Sequence, residues 1–216
     1  MTPSHLHSGQ PLARAGRPLD QAQAALLLLH GRGATADGIL LLAEELFHPA
    51  YAYLAPQAAG NTWYPYTFLA SLHENEPWLS AALQRVGQLV EQIEAAGVPA
   101  ERIVLGGFSQ GACLASEFMA RNARRYGGLI GFSGGLIGPL GMARAYAGSL
   151  EGTPIFLGCS DVDGHIPKAR VEETADVLER LGGQVTLRLY PGMGHTINAD
   201  EIVQARALLR AALPPG

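Results

Sequence analysis

Cysteine is scarce in this sequence. The 216 residues hold two, Cys113 and Cys159, which excludes a disulfide framework and leaves too few thiolates for a zinc site. Both lie in apolar runs and read as small core residues of a protein from a reduced compartment, so the cytoplasm is the expected location. Charge is sparse as well, at 16% of residues with a net charge of −4. Without a basic stripe, nucleic acid is not an expected partner. The single basic cluster, Arg121, Arg124 and Arg125, reads as a solvated helix end. Long apolar runs are missing too. The longest aliphatic stretch, Ala24 to Leu29, is far too short for a membrane span. Met1 to Gln10 has no apolar segment of the kind a signal peptide needs. What the chain does have is 48% apolar residues, enough to bury the core of one domain.

Read along its length, the chain alternates strands with helices. The first ten residues read as disordered or loosely attached, and Pro11 to Leu19 as a weak edge hairpin around Ala15-Gly16. Residues 1–23 are therefore taken as an N-terminal tail and edge segment, and 24–216 as a single domain. Strands are predicted at 24–30, 50–55, 102–106, 128–132, 154–158 and 184–190. Helices are predicted at 35–47, 79–96, 112–123, 167–181 and 198–213, the last opened by Asn198 and Glu201 at capping-box spacing. The expected class is α/β, a mostly parallel central sheet with helices on both faces. Residues 57–77 form a long aromatic stretch without a period, the kind of loop that is usually functional.

The most informative block is Gly107-Phe108-Ser109-Gln110-Gly111. It follows the apolar run Ile103 to Gly106 and precedes a helix-forming run, which places Ser109 on a sharp strand-to-helix turn, a nucleophile elbow. The glycines are needed because a Cβ there would strike the neighbouring strand or helix. The same pattern recurs at Gly131-Phe132-Ser133-Gly134-Gly135. There the following Gly and Pro cannot start a helix, so Ser133 reads as a small residue ending a strand.

A neutral serine hydroxyl needs a base, and the base an orienting acid. Behind an elbow of this kind the acid and then the histidine follow on later loops. Two histidines lie downstream of Ser109. His195, in Gly192-Met193-Gly194-His195 after the last strand, leaves room for an acid on a separate loop and is the candidate base. His165 reads as a residue of the site rim. Asp161 and Asp163 compete for the acid, and Asp163, further from the strand and just before the turn into the Pro167 helix, is preferred. The Gly-rich turn His30-Gly31-Arg32-Gly33 lacks the spacing of a phosphate-binding loop. It suits an oxyanion hole built from the backbone N–H groups of Arg32 and Gln110, a role in which side-chain identity matters little.

Four blocks together, His30 to Gly33, Gly107 to Ala112, Asp161 to Pro167 and Gly192 to His195, resemble the phospholipase/carboxylesterase family of α/β-hydrolases over roughly residues 24–212. That resemblance implies an α/β-hydrolase fold, a triad of Ser109, Asp163 and His195, the Arg32–Gln110 hole, no cofactor and no metal. It also implies a small-molecule ester or thioester substrate, and a homodimer would be in keeping with the family. Members that take long acyl chains carry a longer apolar covering loop. Here the region holds Trp63, Tyr64, Phe68 and Trp78 around a polar stretch, which points to short-chain or small aryl acyl groups. These four and His165 are candidate pocket residues, with the alternative that Trp63 and Trp78 only pack the loop onto the body. The expected activity is that of a serine carboxylesterase. The rival expectations are a non-catalytic binding module on the same fold, or a lysophospholipase, acyl-protein thioesterase or dienelactone-type hydrolase.

Overall fold

The computed structural model describes residues 6–214. Seven strands form one sheet: β1 (Leu12–Gly16), β2 (Ala24–Leu29), β3 (Tyr51–Pro56), β4 (Ile103–Phe108), β5 (Gly128–Phe132), β6 (Pro154–Ser160) and β7 (Gln184–Tyr190). Their spatial order is β1-β3-β2-β4-β5-β6-β7. Every neighbouring pair is parallel except β1 with β3. The helices are α1 (Ala36–Leu40), α2 (Leu42–Glu45), α3 (Trp78–Ala95), α4 (Gln110–Arg121), α5 (Lys168–Arg180) and α6 (Ala199–Ala211).

The central strands are buried on both faces, which is why β2 is an unbroken run of Ala and Leu rather than an alternation. Leu27 and Leu29 point into a core shared with α3, α4 and α5. Leu26 and Leu28 point to the opposite side, where Ile39, Ala43 and Leu208 of α1, α2 and α6 cover them. Burying side chains of this size contributes about 1.5–3 kcal/mol each, so the two-sided leucine run is a main source of stability. The edge strand β7 faces solvent along one side and shows the alternating pattern that two-sided burial suppresses.

Three expectations are corrected. The tail is not loose where it is described: His7 is fully buried, and its ring nitrogens meet Trp63 O and Ala59 N. Residues 1–5, part of the same expectation, lie outside the described residues. Leu12–Gly16 does not fold back on itself as a hairpin but pairs antiparallel with β3, Leu12 opposite Pro56 and Gly16 opposite Ala52, because the edge of β3 offers a ready ladder. The helix predicted over 35–47 is two short pieces that divide at Leu41, in keeping with the low helix propensity of Gly38 within it. Thr35 caps the first piece, its hydroxyl accepting from Gly38 N. No helix among the described residues is long and apolar enough to cross a membrane.

Candidate active site

The sheet brings the C-terminal ends of β2, β4, β6 and β7 to one edge, and the candidate residues sit on the loops that leave it. Between β4 and α4 the chain turns through Ser109, whose backbone has φ 55° and ψ −120°, a conformation non-glycine residues rarely adopt. The two glycines around it are required sterically. A Cβ on Gly107 would lie 2.6 Å from the Gly111 carbonyl carbon, and one on Gly111 would strike the Leu29 carbonyl. The elbow is thus wedged between α4 and β2, and the serine is held at the start of α4, where the first-turn N–H groups lack intrahelical acceptors.

His195 follows β7 on a loop tied to the end of β6. The Ser160 hydroxyl donates to Met193 O, and Asp161 Oδ1 accepts from Gly192 N at 2.8 Å. Asp161 is therefore a brace for the histidine loop. Asp163 is the acid that meets the imidazole, with Nδ1 to Oδ2 at 2.7 Å. The other Asp163 oxygen accepts from the backbone N–H of His165 at 2.8 Å and of Ile166 at 3.0 Å. Burial works against the Asp163 charge, yet the donors from His195, His165 and Ile166 outweigh it and hold its pKa below the usual carboxylate range. The Cys159 thiol adds a long contact to Oδ2 at 3.8 Å. The His195 ring lies against Phe108, centroids 4.7 Å apart, and against His165 at 4.8 Å. Ser109 and His195 line the same cavity of about 720 Å³. No hydrogen bond joins Ser109 to His195.

His30, at the end of β2, is fully buried. Its Nε2 accepts from Ala58 N at 3.0 Å while Nδ1 meets Gly31 O at 2.8 Å, a pattern that needs the neutral ring; burial lowers its pKa accordingly. This imidazole fixes the turn that carries Arg32. The backbone N–H groups of Arg32 and Gln110 meet no acceptor among the described residues, and both residues border the cavity.

Their side chains do far more than the sequence suggested. Arg32 donates to Thr62 Oγ1 at 3.0 Å, Pro65 O at 2.8 Å and Tyr66 O at 2.5 Å. The Gln110 amide donates to Tyr64 O at 2.8 Å and its oxygen accepts from Trp63 N at 3.0 Å. Asn75, read from sequence as part of a polar covering stretch, is buried and spans the same loop, accepting from Tyr66 N and donating to Thr67 O. The clue to these braces was the loop itself, which has many backbone groups and only two short 3-10 turns to satisfy them.

Tyr64, Phe68 and His165 line the cavity, joined by Pro65, Phe108, Cys113 and Ile166, none of which was expected in the pocket. Trp63 and Trp78 do not. Trp63 is fully buried, its indole N–H donating to His30 O at 2.9 Å. Trp78 opens α3 and packs against the His7 ring. Both anchor the loop to the body, correcting their assignment to the pocket. Ser133 sits at φ 48° and is buried, and it does not line the cavity. Among the described residues no group of three or more His, Cys, Asp or Glu is placed to hold a metal ion.

A parallel sheet with a strained serine after a central strand and a His–Asp pair on later loops defines the class as an α/β-hydrolase. The chain belongs to the phospholipase/carboxylesterase family, whose model matches residues 13–213. It is similar to a phospholipase/carboxylesterase from Dyadobacter fermentans, with 43% identity and a TM-score of 0.89 over 94% of this chain and 97% of that one. It also resembles an acyl-protein thioesterase 1 of Eremothecium gossypii, 29% identical over 89% of each chain. The match to an acyl-protein thioesterase 1 of Gibberella zeae is 32% identical but spans 59% of this chain and 55% of that protein.

Proposed function

We propose that this hydrolase is a serine carboxylesterase that cleaves short-chain or small aryl esters or thioesters through an acyl-enzyme. The observation that carries the reading is that His195, paired with the buried Asp163, lines the same cavity as a serine held in a strained elbow. In the attacking state the Ser109 hydroxyl donates to Nε2 of His195. His195 takes the proton as Ser109 adds to the carbonyl, and Asp163 stabilises the imidazolium. The Arg32 and Gln110 N–H groups receive the oxyanion. His195 then protonates the leaving alcohol or thiol, and water activated by the same imidazole releases the acid.

The cavity volume suits a small ligand, and the walls formed by Tyr64, Phe68 and Phe108 favour an apolar acyl or aryl group. The names of the fungal relatives favour a thiol as leaving group, which matched oxyesters and thioesters would reveal. In the central test, Ser109→Ala removes nearly all turnover of p-nitrophenyl butyrate while the circular dichroism melt stays close to that of the parent. A fluorophosphonate probe labels the parent on Ser109 and leaves the variant untouched. Undiminished turnover in the variant would end the assignment.

A further inference from the structure

The two N–H groups of the proposed oxyanion hole come from separate elements, Arg32 from the turn after β2 and Gln110 from the start of α4. The β2–β4 ladder ends at the pair Leu29–Gly107, three residues short of each donor, yet a hole works only if both donors are held at hydrogen-bond distance from one point. Their side chains meet at a third place. Arg32 Nη1 donates to the Thr62 hydroxyl at 3.0 Å. That hydroxyl has one proton, shared between Gln110 Oε1 at 3.2 Å and Tyr64 O at 3.0 Å. Gln110 Nε2 donates to the same Tyr64 carbonyl, and Gly33 N, beside Arg32, donates to Asn61 O at 2.7 Å. The segment from Asn61 to Tyr66 is therefore a strut held at both ends by the Arg32 turn and in its middle by Gln110. Trp63 pins it from below.

We infer that Thr62 is a positioning residue for the reaction: its hydroxyl, as acceptor from Arg32 and donor toward Gln110, fixes the spacing of the two oxyanion-hole donors. This rests on the esterase reading above. Thr62 is half-buried and does not line the cavity, so it acts through Arg32 and Gln110 and touches no substrate. The charge on Arg32 strengthens the first link, since a hydrogen bond from an ionised donor is roughly twice as strong as a neutral one. Loosening the strut misplaces a donor by a fraction of an ångström. That weakens binding of the oxyanion while leaving ground-state contacts in the cavity alone.

The test is Thr62→Val, which keeps the shape and removes the hydroxyl, alongside Thr62→Ser, which keeps the hydroxyl. With p-nitrophenyl butyrate, kcat of Thr62→Val falls roughly ten- to a hundred-fold while KM stays within about two-fold. Affinity for a trifluoromethyl ketone, which forms a tetrahedral adduct on the serine, falls by the same factor as kcat/KM. Thr62→Ser retains most of both. Wild-type kcat in Thr62→Val overturns the inference, as does a rise in KM at unchanged kcat, which would make the strut a pocket wall. Equal damage in Thr62→Ser and Thr62→Val, with both melting early, also overturns it, because packing and not the hydroxyl would then matter. A parent protein that neither turns over esters nor takes the fluorophosphonate label removes the esterase reading and this inference together. A parent that does both, with an unaffected Thr62→Val, removes this inference alone.

Discussion

At Asp163 three kinds of donor converge on one buried carboxylate: an imidazole, two backbone N–H groups and a thiol. This arrangement keeps the acid ionised across the neutral range. It also dictates which His195 nitrogen carries the proton, because Nδ1 must donate to the carboxylate and Nε2 is left free to accept. Asp163→Asn keeps the shape and still accepts the two backbone donors, but can turn its amide NH₂ toward Nδ1 and stabilise the wrong tautomer. The expected result is a fall in kcat of about 10³–10⁴-fold with KM nearly unchanged, read from steady-state ester hydrolysis; a fall under ten-fold would show that another group orients the ring. Ser109, Gly107 and Gly111 were legible in the sequence because steric need is local and only glycine meets it. The choice between Asp161 and Asp163 was not decided by spacing. Both lie on one loop, and the difference is that one reaches Gly192 N and the other the imidazole.

Among the elements, the long loop after β3 is where sequence and structure part most. Its aromatic content without a period marked it as a loop, but aromatic residues on a loop beside a cleft have two destinations, and composition does not separate them. Tyr64 and Phe68 turn into the cavity, while Trp63 turns under the loop to bond His30 O. Periodicity carries no information here because the loop has none. The regular elements were legible for the opposite reason: β2 reads as doubly buried and β7 as half-exposed directly from their patterns. If Trp63 is an anchor, Trp63→Phe loses one buried hydrogen bond and some packing, a cost of about 1–3 kcal/mol. Urea unfolding should register that loss. The relative rates for acetyl, butyryl and hexanoyl esters should stay those of the parent, since the side chain does not border the cavity. A changed chain-length profile at unchanged stability would return Trp63 to the pocket.

For the molecule as a whole, the N-terminal residues are part of the fold's closure. His7 joins two distant stretches at once, the loop after β3 and the start of α3: Nδ1 accepts from Ala59 N at 3.1 Å, Nε2 meets Trp63 O at 3.0 Å, and its ring packs on Trp63 and Trp78. Local polarity made this segment read as loose, because a buried histidine that satisfies loop backbone leaves no local mark. The accepting nitrogen requires a neutral ring, and burial lowers the His7 pKa from its ordinary value of 6.5. The sign follows from linkage: the unfolded chain binds a proton near pH 6.5 that the folded chain resists. The contribution of His7 is therefore fully present above pH 6.5 and is lost as pH falls through the lower folded value. Other groups obscure this in the parent alone. His30 runs the same way, whereas burial raises Glu201 to about 7, so its contribution is lost as pH rises from the usual carboxylate range. Comparison with His7→Ala cancels both. At pH 7.5 the variant should be less stable by about 2–4 kcal/mol, the cost of two unpaired backbone groups and a cavity. That gap should narrow as urea midpoints are followed down to pH 5.5. A gap that stays constant with pH would mean that His7 serves as bulk alone, and that its hydrogen bonds to the loop contribute nothing to holding the site together.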